Sequence, residues 1–442
     1  MKPSRYNHFF TLDNGATLAF NSSSGALAEI EKENLARIRQ LLEHPEEVKT
    51  AQDKEFLGNL IEGGYLVPDM LDELSDLRTQ TGARRKAGST YTLTIAPTLA
   101  CNFACDYCFE NQSRVRMEEK AQQALLDFSD RHLSQVNGMR ISWFGGEPTM
   151  CVPVIERLQT GLVELAQKHM VEVVPSSMVT NGYLLDGDMA RRLKAVGVAS
   201  AQITLDGPEK VHDQRRKLHS GKGTFRRIVD NLTESIDIMQ IGVRINVDKR
   251  NIESAFEVME ELDRLGILPK IKIYFAKVKS AGAVCADIRD QCFGEEEFAG
   301  NVVELYRRLL DMGISQVDYP KVFGGVFCGA VSERAFVISP TGHVFKCWEE
   351  LALDPEKSVG DIYSSDQADY QKKNLEKLRS WDPFKSEECR ECNILPICMG
   401  GCPVHALSKN DSDQGVCSLW KFNLSEMMNL RYQCELMKDT GA

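Results

Sequence analysis

Thr98-Leu-Ala-Cys101-Asn-Phe-Ala-Cys105-Asp-Tyr-Cys108-Phe109 puts three thiols within eight residues, spaced Cys-x3-Cys-x2-Cys. Thiolates so close together are ligands for a soft metal centre. The spacing suits a [4Fe–4S] cluster, whose four irons are held by cysteine thiolates. Three cysteines leave one iron without a protein ligand, open to a small molecule. A zinc site short of one ligand and three thiols packed as small hydrophobes are the competing readings. The surrounding sequence decides among them.

From Tyr91 the chain alternates short apolar runs with amphipathic stretches. Strands are expected at Tyr91–Ala96, Arg140–Phe144, Met178–Thr180, Ala201–Leu205, Val243–Val247 and Ile271–Phe275. Between them Ala121, Ala124, Leu125 and Phe128 share a helical face, as do Phe225, Ile228, Val229 and Leu232, and Ile252, Phe256 and Met259. Such repetition predicts a parallel sheet with right-handed crossovers. Six units are two short of a closed eight-fold barrel. The expectation is α/β, a partial (β/α)6 TIM-like barrel, with its site at the C-terminal ends of the strands. The three cysteines follow the first strand and so fall at that end.

In this position the motif, with Tyr107 before its last cysteine, resembles that of the radical S-adenosylmethionine superfamily. The resemblance implies that S-adenosylmethionine chelates the open iron, and that its reductive cleavage gives methionine and a 5′-deoxyadenosyl radical. Gly145-Gly146-Glu147-Pro148 ends the second strand and matches the family's Gly-Gly-Glu-Pro motif, which contacts the methionyl amine. Asn181 follows the third strand and Asp206 the fourth. His212 and Arg216 form a His-x3-Arg arrangement like that of related maturases, where the arginine pairs with the cofactor carboxylate, a geometry its fork suits. Asn246, ending the fifth strand, is a candidate for ribose contact.

The C-terminal third adds Cys328, Gly342, Cys347, Cys389, Cys392, Cys398, Cys402 and Cys417. The run Cys-x13-Gly-x4-Cys, gap, Cys-x2-Cys-x5-Cys-x3-Cys, gap, Cys is similar to the SPASM domain, which holds two auxiliary [4Fe–4S] clusters. Paired zinc ribbons would want eight ligands in two like pairs. By position the resemblance assigns Cys328, Cys347 and Cys402 to the first auxiliary cluster and Cys389, Cys392, Cys398 and Cys417 to the second. Cys292, or Cys285 further upstream, would complete the first, unless that cluster keeps an open iron, as it does in some members. Cys151 and Cys434 read as ordinary buried thiols.

Residues 1–80 read as a separate unit. Phe9–Leu12 and Ala16–Phe20 flank Asp13-Asn14-Gly15, a hairpin signal. A helix is expected from about Gly25 to Leu42 and a second through Phe56, Leu57, Leu60 and Ile61, ending at Gly63-Gly64. With Tyr65–Pro68, this resembles the winged-helix element that binds leader peptides in enzymes modifying ribosomally made peptides, by strand addition or against a helix. Residues 81–90 are expected as a linker, 91–310 as the barrel and 311–442 as the SPASM domain.

Composition sets the outer bounds. With 442 residues, 43% hydrophobic and 26% charged, the chain is long enough for two or three domains. Its 53 Lys and Arg against 64 Asp and Glu give a net charge of −11, and the basic residues are dispersed, which excludes a nucleic-acid footprint. No window nears the ~18 consecutive apolar residues of a membrane span, and no signal peptide is read, so a cytoplasmic location is expected. The 14 cysteines fit metal ligation in a reducing compartment.

Together these features resemble the SPASM-type maturases of streptide, sactipeptides and ranthipeptides. The resemblance implies a carbon–carbon or thioether crosslink installed in a precursor peptide, three [4Fe–4S] clusters, and an external electron donor such as flavodoxin or ferredoxin. Alternatives are an anaerobic sulfatase-maturing enzyme that forms formylglycine, a radical dehydrogenase of small molecules, and a non-enzymatic Fe–S carrier. The last has no use for a cofactor-binding barrel.

Overall fold

Apolar residues at Leu93, Ile95, Ile141, Trp143, Ile203, Val243, Ile245 and Val247, all fully buried, drive six strands into one parallel sheet. In the computed structural model these are Thr90–Ile95, Gly138–Trp143, Glu172–Thr180, Val198–Thr204, Gln240–Val247 and Lys272–Lys277. They lie in sequence order, each pairing in parallel with the next. Helices Glu119–Leu133, Val152–Lys168, Gly187–Ala195, Phe225–Ser235 and Ile252–Arg264 make the crossovers. The structure describes residues 1–442 apart from 13, 87, 109, 111, 280–287, 324, 409–416 and 440–442. Among the described residues no helix is long and apolar enough to cross a membrane.

The six-strand expectation is incomplete at one edge. Ala335–Ile338 adds in parallel to Thr90–Ile95, with Phe336 opposite Leu93, and is followed by antiparallel His343–Phe345 and Gly360–Asp361. The reason lies in hydrogen bonding. A largely buried first strand cannot leave its outer N–H groups unpaired, and Thr92 N and Ala96 N donate to Arg334 O and Ile338 O at 2.8 and 2.9 Å. Gly342 turns the first of these hairpins at φ +89°, where a Cβ would stand 2.7 Å from the Tyr363 ring. Residues 87–316 and 329–380 form this α/β unit.

The second unit gathers residues 1–86, 317–328 and 381–442. The C-terminal third is thus shared between the two units. Asn7–Thr11, Thr17–Asn21 and Leu27–Ile30 form an antiparallel three-stranded sheet. The helix expected from Gly25 does not form there. Leu27–Ile30 pairs with Thr17–Phe20 instead, and helix begins only at Leu35–Glu43. A lone hairpin would leave one edge of its strand Thr17–Asn21 open, and a third strand closes it. Helix Ala51–Glu62 starts on a Thr50/Asp53 capping box. Arg37 donates Nε and Nη2 to Asp53 at 2.6 and 2.7 Å, holding that carboxyl well below the usual range. Helix Glu73–Lys86 runs through the first part of the expected linker. Its basic last turn suits the helix dipole, and Arg84 and Arg85 fasten it to Phe323 O and Trp381 O at 2.7 and 2.8 Å.

The central strand Thr17–Asn21 is buried along its whole length. Ala19 packs with Ile38, Leu41, Leu42 and Leu60 of the helices. Its neighbours Leu18 and Phe20, pointing to the other face, pack with Ile394, Ile397, Leu424 and Met428. His8 Nε2 and Ser22 Oγ both bond to Asn393 O, at 3.3 and 2.5 Å. A chain begun at residue 87 should therefore lose hydrogen-exchange protection across 381–439 while 90–277 stays protected. Phe20→Ala in the full chain should cost about 3–5 kcal/mol and loosen the same C-terminal segment. Unchanged exchange there would separate the two segments.

Candidate active site

The cysteine loop is gripped by two backbones at the C-terminal rim of the sheet. On one side the turn after the second strand bonds to it: Gly146 N donates to Thr98 O at 3.2 Å and Glu147 N to Ala100 O at 2.8 Å. A Cβ on Gly146 would lie 2.4 Å from Ala100 O, and one on Gly145, at φ +110°, 2.4 Å from Thr98 O. Only glycine permits that approach. On the other side Arg216–Leu218 pairs antiparallel with Phe103–Cys105, with Arg216 opposite Cys105.

Glu147 is fully buried, yet its carboxylate is engaged by the protein. Oε1 accepts from Thr149 N at 3.0 Å, Thr180 Oγ1 at 2.7 Å and Thr149 Oγ1, and Oε2 accepts from Asn181 N at 2.7 Å. Burial raises its pKa against these bonds. Asn181 carries the brace to the cysteines. Its Nδ2 reaches Asn102 Oδ1 at 2.7 Å and Cys101 Sγ at 3.8 Å. Pro148, also buried, opens the short helix that follows.

Tyr107 is the hub of the opposite wall. Its hydroxyl donates to Asp206 Oδ2 and accepts from Arg216 Nη1 at 2.6 Å and Asn246 Nδ2 at 3.1 Å. Asn246 N donates to Asp206 Oδ1 at 3.3 Å, and Arg244 Nε donates to Asn246 Oδ1 at 2.7 Å. Behind them Arg215 bridges Asp206 at 3.5 Å and Asp248 at 2.9 Å, its guanidinium 5.1 Å from the centre of the Tyr107 ring. The roles of Tyr107, Arg215, Arg244 and Asp248 had no sequence signal beyond an aromatic in the motif and an Arg-Arg doublet.

His212 does not face the rim. Its Nδ1 accepts from Asp206 N at 3.3 Å, so the proton is on Nε2, which donates to Thr224 Oγ1 at 3.1 Å. Thr224 in turn donates to Arg216 O at 2.6 Å. The histidine positions the arginine through its main chain. Burial, then the adjacent Arg216 and Arg215, depress its pKa well below the ordinary value.

These groups enclose a cavity of about 520 Å³ lined by Cys101, Cys105, Cys108, Tyr107, Arg216 and Asn246 among others. Burial pushes the Cys101 and Cys105 thiols up to about 12 and 11, and Cys108 upward too. Such thiols become thiolates only beside strong positive charge, which iron supplies. Arg216, which lines the cavity, has its Nε buried without an acceptor, and behind it Arg215, already paired to Asp206 and Asp248, has an unpartnered Nη2. Of the eight residues expected at the cofactor, Arg216 is the one with a buried unpartnered nitrogen; Glu147, Asn181, Asp206 and Asn246 have side chains bonded within the protein. Among the described residues no three His, Cys, Asp or Glu side chains converge as around a single ion.

Cys292 packs against Val278 and Ile288, as Tyr107 does, its thiol 3.4 Å from Ile288 O; Cys285 lies outside the described residues. Cys347 belongs to the α/β unit, and Cys328, Cys389, Cys392, Cys398, Cys402 and Cys417 to the other. Ser386 caps the short helix holding Cys389, accepting from Cys389 N at 3.4 Å. Burial, followed by the charges of Cys398, Cys389 and Cys392 among its neighbours, raises the Cys417 thiol. Those four thus sit within electrostatic reach of one another. Lys421 Nζ lies 3.9 Å from Cys392 Sγ.

Residues 95–267 match the radical SAM superfamily. A mycofactocin maturase from Mycolicibacterium smegmatis is 27% identical over 70% of this chain and 77% of its own. A cysteine-type anaerobic sulfatase-maturating enzyme from Clostridium perfringens is 25% identical over 77% and 92%. In fold, SuiB of Streptococcus suis, solved bound to its precursor peptide SuiA, aligns with TM-score 0.55 and 15% identity over 94% of this chain and 99% of that one.

His212 makes stability depend on pH. Its folded pKa lies below the unfolded value of about 6.5, so below that pH the unfolded chain binds a proton that the folded chain refuses. Stability should fall as pH drops from 7 to 5. His212→Gln should flatten that part of the profile, measured by denaturant unfolding of both proteins; parallel profiles would show that His212 does not contribute.

Proposed function

We propose that this chain, which belongs to the radical SAM superfamily and is a radical SAM enzyme, modifies a ribosomally made peptide and installs a crosslink, carbon–carbon or thioether, in it. The observation that carries the reading is that three partly buried thiols line one cavity together with Arg216, whose Nε is buried and unpartnered. When bound, the reduced cluster and S-adenosylmethionine supply the 5′-deoxyadenosyl radical that removes hydrogen from the substrate. Cys101, Cys105 and Cys108 would hold the cluster through three of its irons. Arg216 offers its fork to the cofactor carboxylate, with Tyr107 and His212 fixing that fork from the side and from behind. The backbone of Gly145-Gly146, which lines the same cavity, would face the methionyl end. Glu147, Asn181, Asp206 and Asn246 act mainly by holding the cysteine loop and the arginine.

Peptide as substrate is supported by the relatives, two of which are named as maturases, and by the N-terminal unit. Its three-stranded sheet has Leu27–Ile30 at one edge, and in our reading this winged-helix-like element takes the leader as an added strand. Residues 381–442 carry Cys389, Cys392, Cys398 and Cys417, which we assign to an auxiliary cluster that accepts the electron released on crosslinking. Formylglycine formation is the second reading, favoured by the sulfatase-maturating relative.

Anaerobically reconstituted protein should carry about 12 irons for three [4Fe–4S] clusters, against about four with the radical core alone. Simultaneous Ala replacement of Cys101, Cys105 and Cys108 should abolish deoxyadenosine formation. Arg216→Lys should weaken S-adenosylmethionine binding roughly tenfold or more, read by equilibrium binding. Mass spectrometry of peptides encoded beside the gene decides the product. Loss of two hydrogens fits a crosslink, exchange of a thiol for an aldehyde fits formylglycine, and no mass change in any of them would refute both.

A further inference from the structure

Helix Glu73–Lys86 brings Arg84 and Arg85 to a second cavity, of about 170 Å³, whose wall includes Val322, Phe323 and Phe327. Arg84 is engaged there, donating Nη1 to Phe323 O at 2.7 Å and Nη2 to Gln80 Oε1 at 3.1 Å. Arg85 is engaged at one nitrogen only. Its Nη1 donates to Trp381 O at 2.8 Å and its guanidinium lies 5.6 Å from the centre of the Trp381 ring. Nε and Nη2 are buried with no acceptor.

Those two nitrogens form the edge of a guanidinium that takes both oxygens of a carboxylate. The same chain uses that edge elsewhere. Arg37 gives Nε and Nη2 to Asp53 at 2.6 and 2.7 Å, and Arg192 gives them to Glu156 at 3.0 Å each. Glu73 and Asp76 also line the cavity and Asp382 lies within electrostatic reach of Arg85, but each has another partner. Glu73 accepts from Ser4 Oγ and Arg5 N, Asp76 accepts from Gln80, and Asp382 is bonded to Arg78 and Phe384 N. A buried cationic edge left open beside an apolar wall is costly unless an anion enters.

We propose that this cavity binds an Asp or Glu side chain of the peptide substrate, its carboxylate on Arg85 Nε and Nη2 and its methylenes against Val322, Phe323 and Phe327. The source of the carboxylate rests on the reading of the chain as a peptide-modifying enzyme; the preference of the cavity for a carboxylate does not. The cavity has room for one acidic side chain and not for a folded segment.

The test uses the full chain labelled with 5-fluorotryptophan, with the Trp381 fluorine signal identified by Trp381→Phe. Acetyl-Gly-Glu-Gly-amide should shift that signal saturably. Its Gln counterpart should bind roughly tenfold or more weakly. Arg85→Gln should remove the response, and Arg84→Gln should keep it. If Arg85→Gln fails to fold, Arg85→Lys, which keeps the charge and loses the fork, should bind the Glu peptide several-fold more weakly. An equal response to the Gln peptide, no response to either peptide, or a response to inorganic phosphate alone would overturn the proposal. None of these readouts involves turnover, so failure of the peptide-modifying reading would leave carboxylate binding intact and measurable.

Discussion

The rim of the sheet depends on one constraint, the approach of the backbone at Gly145-Gly146 to the carbonyls of Thr98 and Ala100. Everything that faces the cavity is referred to it. The turn pins the start of the cysteine loop. Glu147, at the end of that turn, reaches across to Thr180 and Asn181 at the third strand. Asn181 returns to Cys101 and Asn102. The loop is therefore held from below by a closed circuit of short-range bonds before any metal is considered. Preorganisation of this kind lets a ligand set meet its cluster without reordering the chain.

The far side of the loop is held differently, by charge as well as by main chain. Arg216 pairs as a strand residue with Cys105, and its guanidinium shares the Tyr107 hydroxyl with Asn246 and Asp206. Arg215 and Asp248 extend the network inward. A buried network like this is stable only when its members are nearly all satisfied. Here the exceptions are Arg216 Nε and Arg215 Nη2, the first on the arginine that lines the cavity.

Much of this was legible in the sequence because it rests on local rules. Strand–helix alternation gave the six parallel strands, five of them within three residues and the third starting six residues earlier than expected, and cysteine spacing located the rim. What stayed hidden depends on pairing between distant segments. Ala335–Ile338 is four residues long, and nothing in it says it will cover the edge of Thr90–Ile95. The stretch after Gly25 has helical composition, yet the open edge of Thr17–Asn21 outweighs propensity and takes Leu27–Ile30 as a strand. Tyr107, Arg215 and Asp248 lie far apart in the chain. His212 was visible as part of a motif, but that it acts through Thr224 on a carbonyl follows only from geometry.

The second unit is assembled from the two ends of the chain, with Leu18 and Phe20 covered by Ile394, Ile397, Leu424 and Met428. During synthesis the hairpin leaves the ribosome well before its covering residues, which are made about 375 to 410 codons later. At 5–20 residues per second that interval is roughly 20–80 s. Through that time Phe10, Leu18 and Phe20 have no native cover, and the sheet between them in sequence has ample time to fold first. The order of translation thus runs opposite to the order of closure, and the last helix, Trp420–Asp439, completes a core that was begun with the first twenty residues.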